Sequence, residues 1–257
     1  MSSFGFESPR PYEIHLPDGD YIAKRIQKLG MPYEYYAMRS IADLVRDGAA
    51  ILDVGANVGN HSLYWSASGY SVVAFEPNPE ALRWLRINID QNSVGDLIDL
   101  RPFGLGATRA RAALQLSPGN LGATSTELSD SGTVEIWALD DLQLPDEIGA
   151  VKIDVEGGEA AVLLGARQTL LGHKPVIMIE LWDKNSVSVA GGLLQPLGYR
   201  RLPFTIGGGP TYVYLPGAKA LMKAMISWPT LWAGIRVKAS RGRRWLRTHL
   251  NVAALVR

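Results

Sequence analysis

A glycine-containing turn between residues 53 and 60 carries the clearest chemistry in the sequence. The apolar run that ends at Val54 is followed by Gly55-Ala56-Asn57-Val58-Gly59, and a helix-like segment begins directly afterwards. Gly55 lacks a Cβ atom, which lets the backbone come close to a ligand, and Gly59 opens a helix whose unpaired N–H groups favour an anionic group. The pattern predicts a nucleotide- or nucleoside-binding loop.

An acidic residue, Glu76, follows the next apolar run, with Pro77 directly after it. A carboxylate at this position can accept hydrogen bonds from both hydroxyl groups of a ribose. The ligand is therefore a dinucleotide or S-adenosylmethionine, and a tight turn without any ligand is the remaining interpretation.

The spacing of the glycines separates these two ligands. A dinucleotide fingerprint needs glycine at its first, third and sixth positions, which here are Gly55, Asn57 and Asn60. Asp53, just before the turn, would repel a pyrophosphate but can help to hold the amino group of a methionine. These features favour S-adenosylmethionine over a nicotinamide cofactor.

Three carboxylates are expected near the reacting atoms. Asp154 and Glu156 lie at the C-terminal edge of the run at 150–155, and Glu180 lies at the end of another run. Methyl transfer to an alcohol needs aligned reactants and a base, or a cation that lowers the pKa of the acceptor. The three carboxylates are candidates for the base or for ligands of a divalent cation, and which role they play is left open. His61, in the first turn of the helix after the glycine loop, is a fourth catalytic candidate.

Short apolar runs alternate with amphipathic segments through most of the chain. Strands are predicted at 50–54, 71–75, 97–100, 150–155 and 176–181, and helices at 33–45, 60–67, 79–92 and 159–171. This alternation is typical of an α/β protein with a parallel sheet covered on both faces. Two further strands, at 199–205 and 211–215, predict a terminal hairpin.

We divide the chain into three parts. Residues 1–47 form an N-terminal arm and helix that covers the site, with residues 1–20 expected to be irregular. Residues 48–215 form the cofactor-binding catalytic domain, and residues 216–257 form a basic helical extension that contains three tryptophans.

The charges are strongly segregated along the 257-residue chain. Its formal charge is +1, but residues 1–183 sum to −11 (14 basic, 25 acidic) and residues 184–257 to +12 (12 basic, none acidic). There is no cysteine, which excludes a disulfide scaffold and thiolate zinc ligands. The sequence also contains no signal peptide or membrane-spanning run, so we expect a cytoplasmic protein.

Several segments together resemble the FkbM family of S-adenosylmethionine-dependent methyltransferases over roughly residues 20–215. The matching segments are DVGANVGNHSLYW (53–65), AFEPNP (74–79), ALDDL (138–142), VKIDVEGGEAAVLLGA (151–166), VIMIEL (176–181) and Pro32-Tyr33-Glu34.

The resemblance implies the class I methyltransferase fold, a mostly parallel sheet of seven strands with helices on both faces and a C-terminal β-hairpin. It also implies O-methylation of a sugar hydroxyl, often on a glycolipid or a lipid-linked glycan, or of a polyketide-type natural product.

The resemblance also assigns roles to residues of the site. Those that would hold the methionine part of the cofactor are Asp53, Gly55, Asn57 and Gly59. Glu76 would hold the ribose, Asp154 would border the sulfonium, and Glu34 would close over the site from the N-terminal segment and contact the substrate.

There are two alternatives to an O-methyltransferase of sugars or polyketides, namely a nucleic-acid methyltransferase and a non-enzymatic binding module. A nucleic-acid methyltransferase is disfavoured, because the loop after Asp154 lacks the Pro-Pro-aromatic pattern and no acidic residue follows Asp183. A non-enzymatic module is the further alternative, in which residues 216–257 bind anionic lipid or RNA. A helix packed on the acidic body is the other alternative for this segment. Its Lys, Arg and Trp content favours peripheral contact with an anionic membrane, which would place the protein at the inner membrane surface.

Overall fold

The structure is a computed structural model that describes residues 1–7, 10–117, 121–207 and 209–218. The strands are β1 (Ser2–Phe6), β2 (Tyr12–Leu16), β3 (Ala50–Val54), β4 (Val72–Phe75), β5 (Ile98–Arg101), β6 (Gly104–Leu105), β7 (Ala110–Gln115), β8 (Ser125–Leu128), β9 (Val134–Trp137), β10 (Ile148–Ile153), β11 (Val176–Glu180), β12 (Tyr199–Ile206) and β13 (Thr211–Pro216). The α-helices are α1 (Tyr21–Leu29), α2 (Tyr35–Ala42), α3 (Asn60–Ala67), α4 (Pro79–Asn92), α5 (Glu159–Gly165), α6 (Arg167–His173) and α7 (Lys184–Leu194).

A mixed sheet of seven strands forms the centre of the molecule, in the order β12-β13-β11-β10-β3-β4-β5. The strands from β11 to β5 pair in parallel, whereas β13 is antiparallel to both of its neighbours. The sheet therefore has four parallel and two antiparallel pairs. The last two strands form the predicted C-terminal hairpin.

Apolar cores lie on both faces of this sheet, because its strands alternate their side chains between them. Ile51 belongs to the core that contains residues of β2 and α1–α4, and the next residue, Leu52, belongs to the core with residues of α5, α6 and α7. Helices therefore cover both faces, as the α/β pattern predicts. The parallel strands bring the ends of β3, β4, β10 and β11 to one edge.

The N-terminal segment differs from the expectation of an irregular arm. Strands β1 and β2 pair antiparallel as a hairpin, with Ser2 opposite Leu16 and Phe6 opposite Tyr12. The hairpin is held by side chains of α4. Asn88 Oδ1 accepts from the His15 N–H at 2.7 Å, and Asn88 Nδ2 donates to the His15 carbonyl at 3.1 Å. The prediction of an irregular arm was wrong, because strand β2 depends on contacts with α4, which is distant in the sequence.

The single helix predicted at 159–171 is divided into α5 and α6 at Ala166, which has φ −110°. Asp140, in the ALDDL segment, caps the second helix. Its carboxylate accepts from the N–H groups of Gln168 and Thr169, each at 2.8 Å. The Asp140 cap allows a new helix to start within the predicted one, although the apolar periodicity of the sequence continues through this point.

Candidate active site

The glycine loop joins β3 to α3 in a conformation that needs its glycines. Gly55 and Gly59 have φ of 78° and 92°, and Asn57 has φ 52°, all in the left-handed region. A Cβ atom on Gly55 would lie 1.8 Å from the Asp154 carbonyl oxygen. The loop is therefore packed directly against the end of β10.

A buried chain of charges lies beneath the loop. Asp53 is fully buried, and its Oδ2 accepts from Ser62 Oγ at 2.6 Å while Oδ1 lies 3.2 Å from Lys152 Nζ. Lys152 Nζ also donates to the Gly55 carbonyl at 2.6 Å and lies 3.6 Å from Asp154 Oδ2. Burial opposes the charge on Asp53, but Lys152, with His61 and Ser62, outweighs it and lowers the pKa of this carboxyl.

Glu76 lies at the end of β4, against the loop. Its carboxylate accepts from the backbone N–H groups of Asn57 and Asn78, each at 2.8 Å. Burial raises the pKa of Glu76 to about 7, although these two hydrogen bonds act in the opposite direction. A carboxylate held in this way presents its remaining lone pairs to a ligand.

A narrow pocket opens between the glycine loop and the small sheet formed by β6–β9. Its lining includes Gly55, Asn57, Glu76, Pro77, Gly104 and Asp154. The side-chain oxygen of Asn57 is buried there without a hydrogen-bond partner. The predicted cofactor residues other than Asp53 and Gly59 thus line this pocket, whereas Gly59 packs against Leu85 and fixes the start of α3.

A larger cleft of about 690 Å³ adjoins this pocket. The two share Gly55, Asn57, Gly122 and Asp154. The other sequence candidates that line the cleft are Glu34, His61, Glu156 and Glu180. The structure therefore brings the predicted catalytic residues to one place, next to the predicted cofactor loop.

Glu34 and His61 face each other across the cleft wall. Glu34 Oε2 lies 3.2 Å from His61 Nε2, and both side chains are nearly buried. Glu34 has φ 56° at the start of α2, and Oε1 of its carboxylate lies against Gly207 in the β12–β13 turn. The N-terminal helices and the C-terminal hairpin thus meet at this carboxylate.

Asp154, Glu156 and Glu180 converge on the other side of the cleft. One carboxylate oxygen from each lies within 4.8 Å of the others, a spacing that suits a divalent cation. Burial, with the neighbouring Asp154, raises the pKa of Glu180 well above its usual range, and burial also raises the pKa of Glu156. Glu156 and Glu180 therefore hold a proton more readily than free carboxyls do.

Lys152 is a charged residue of this site that the sequence pattern did not predict. It is 3% exposed and lies within an otherwise apolar strand. The available signal was a lysine flanked by Val151 and Ile153, since a charged side chain in a buried strand needs a charged partner.

The basic extension predicted at 216–257 lies outside the described residues from position 219 onward. Among the described residues, no helix combines the length and the apolar composition needed to cross a membrane.

Comparison with known proteins gives a match to the family model described as "Methyltransferase FkbM domain", over residues 53–190. No curated protein sequence matches the chain. Among solved structures, a methyltransferase FkbM from Methylobacillus flagellatus has a TM-score of 0.51 and 22% identity. The match covers 75% of this chain and 50% of that one, so the chain spans about half the length of that protein.

Two further structures have lower similarity. The tRNA (uracil-54, C5)-methyltransferase of Pyrococcus abyssi, in complex with S-adenosylhomocysteine, has a TM-score of 0.46 and 18% identity, covering 84% of this chain and 43% of that one. The precorrin-6y C5,15-methyltransferase of Geobacter metallireducens has a TM-score of 0.45 and 18% identity, covering 70% and 86%.

Proposed function

The chain belongs to the FkbM family of methyltransferases, and from this we propose that it uses S-adenosylmethionine to methylate a sugar hydroxyl on a glycolipid or lipid-linked glycan. The observation that carries the proposal is the junction of the narrow pocket and the larger cleft at Gly55, Asn57 and Asp154. A methyl donor bound in the narrow pocket and an alcohol bound in the larger cleft would meet at this junction.

The residues of the narrow pocket fit the methyl donor. Glu76 offers a fixed carboxylate for the ribose hydroxyls, and the unpartnered Asn57 oxygen offers an acceptor beside it. Asp154, at the junction, would face the positively charged sulphur. When bound, S-adenosylmethionine supplies a methyl group activated by that charge.

The residues of the cleft fit an acceptor rich in hydroxyl groups. Carboxylates accept hydrogen bonds from hydroxyls, and three of them line the cleft beside Asp154. Trp182 and Tyr21 also line it and expose 66% and 44% of their surfaces, which gives apolar faces on which a sugar ring can pack. The same faces would accept a polyketide ring, which is the alternative acceptor.

Two groups in the cleft can take the proton of the acceptor hydroxyl. One is His61, whose protonated form would be stabilised by Glu34 at 3.2 Å. The other is the cluster of Asp154, Glu156 and Glu180, either as a base or through a divalent cation held at its observed spacing. Activity after treatment with a chelator, with and without added Mg²⁺, tests whether the cluster acts through a cation.

We also propose that residues 216–257 bring the protein to an anionic membrane surface, where a lipid-linked acceptor is found. The support is the sequence, in which this segment carries nine Lys and Arg residues and no acidic residue. Such an enzyme would work at the cytoplasmic face of a membrane.

The cofactor assignment is tested by calorimetry with S-adenosylmethionine. We expect Glu76→Ala to weaken binding by about tenfold or more, because the ribose loses a charged acceptor. Glu135→Ala is the matched control, since this carboxylate is exposed on β9. Equal affinity of wild type and Glu76→Ala would contradict the assignment.

The acceptor is tested by mass spectrometry of glycans and glycolipids from cells with and without the gene. We expect one species to lose the mass of a single methylene group in the deletion strain. Such a loss confined to a polyketide-type product would replace the sugar proposal with the alternative acceptor.

A further inference from the structure

Lys152 is a buried cation that none of the assigned roles uses. It lies within β10, where Val151 and Ile153 are its neighbours, and 3% of its surface is exposed. A lysine ammonium is found in such an environment only when other groups compensate its charge and its hydrogen bonds.

Three acceptors surround the Lys152 ammonium. It donates to the Gly55 carbonyl at 2.6 Å, and it lies 3.2 Å from Asp53 Oδ1 and 3.6 Å from Asp154 Oδ2. An ammonium has three N–H donors, so each can face one of these oxygens. The contacts therefore join the ends of β3 and β10 to the glycine loop.

In this arrangement Asp53 is the buried counterion of Lys152. It is fully buried, is bonded by Ser62, and is not among the residues that line the pocket or the cleft. Asp154, in contrast, lines both and is 32% exposed. One carboxylate thus anchors the lysine, and the other is held by it at the point where the two spaces meet.

We propose that Lys152 is a positioning residue that holds the Asp154 carboxylate at the junction, where it faces the sulfonium of the cofactor. The inference rests on the proposed methyltransferase reaction. It assigns to Lys152 a role beyond compensating the charge of Asp53.

A charge-balanced double substitution separates these two roles. Asp53→Asn with Lys152→Met removes one negative and one positive charge, so the local net charge is kept and no buried charge is left unpaired. If Lys152 only compensates Asp53, the double variant will behave as wild type. If it positions Asp154, the carboxylate will be displaced even in a stable protein.

The readout is the ratio of the dissociation constants of S-adenosylhomocysteine and S-adenosylmethionine, measured by calorimetry. Only the second ligand has a charged sulphur, so a carboxylate held against it raises this ratio. We expect the ratio to fall by about fivefold or more in Asp154→Asn and in the double variant. An unchanged ratio in a folded double variant would overturn the proposal.

Two further measurements keep the test decisive where the double variant does not fold. Lys152→Arg keeps the charge but moves it, and we expect the same fall in the ratio, whereas a wild-type ratio would overturn the proposal. In the otherwise wild-type protein, the ¹⁵N NMR signal of the Lys152 ammonium should shift on Asp154→Asn. An unshifted signal would likewise overturn it.

Thr169→Val is the control for a general loss of stability. Thr169 is buried and donates to Asp140 at the start of α6, outside both the pocket and the cleft. We expect it to lower the unfolding temperature without changing the ratio. Failure of the wild type to bind either ligand would contradict the proposed function, an outcome distinct from a failure of the Lys152 proposal.

Discussion

At the scale of single residues, Glu76 is expected to make cofactor binding depend on pH. Burial raises its pKa to about 7, whereas ribose hydroxyls donate to the ionised form. Binding therefore requires loss of a proton below pH 7, and we expect S-adenosylmethionine to bind about tenfold more weakly at pH 6 than at pH 8. Calorimetry at the two pH values measures this. A Glu76→Gln variant should show no such difference.

Whereas a higher pH favours cofactor binding, the raised pKa of Glu76 makes the folded protein less stable as the pH rises. The folded protein holds the Glu76 proton more tightly than the unfolded chain, whose pKa is 4.5. Glu76 therefore contributes less to the free energy of unfolding as the pH rises from about 4.5 to 7. A ligand that bonds the carboxylate offsets this loss, so the stabilisation by S-adenosylmethionine should increase over that range.

Residue types and spacing alone predicted part of the candidate site. Gly55 and Glu76 could be assigned from spacing because strand ends and glycine turns leave a local pattern in the sequence. Lys152 could not, because its meaning depends on the strand beside it. In the parallel pairing of β3 and β10, Lys152 is opposite Asp53, a register that no local pattern specifies.

At the scale of elements, Asn88 joins the N-terminal hairpin to the glycine loop. Besides its two bonds to His15, its Nδ2 donates to the Val58 carbonyl at 2.8 Å, and the residue is fully buried. Asn88→Ala leaves three backbone groups without a partner. We expect it to lower the free energy of unfolding by about 3 kcal/mol, measured by urea denaturation.

Asn92 provides a matched control, because it lies one turn later on α4 and bonds the backbone of Glu13 in the same way at a partly exposed position. Asn92→Ala should cost about 1 kcal/mol, since water replaces its hydrogen bonds. Equal losses from the two substitutions would show that burial of the Asn88 contacts is not the cause.

The apolar periodicity of the sequence predicted the strands and helices of the central sheet. It failed for elements whose presence or bounds depend on tertiary contacts. Helix α3 has the predicted bounds, 60–67, and β3 has the predicted bounds, 50–54. The N-terminal hairpin and the break between α5 and α6 depend instead on Asn88 and Asp140. Both of these side chains are distant in the sequence from the elements that they stabilise.

At the scale of the whole molecule, the separation of charge gives a test of membrane contact. Residues 1–183 sum to −11 and residues 184–257 to +12. We expect a chain that ends at Pro216 to lose binding to anionic liposomes, because it loses nine basic residues and three tryptophans. Sedimentation with phosphatidylserine vesicles measures this, and neutral vesicles are the control.

Cofactor binding should survive this truncation. The described residues that line the pocket and the cleft all precede position 216, and β13 ends at Pro216. Calorimetry with S-adenosylmethionine on the shortened chain tests this. Retained liposome binding by the same chain would remove the membrane proposal and leave the cofactor assignment intact.

The pairing of Asp53 with Lys152 has an evolutionary consequence. Each is almost or fully buried, and they lie opposite each other in adjacent strands. Losing Lys152 alone leaves the buried Asp53 carboxylate without a counterion, and losing Asp53 alone leaves Lys152 with only the half-buried Asp154. The Asp53–Lys152 pair is therefore expected to be lost in evolution only when both residues are replaced. In an alignment of homologues, the two positions should therefore covary, with acid and lysine retained or lost together, and many sequences that keep only one would contradict this expectation.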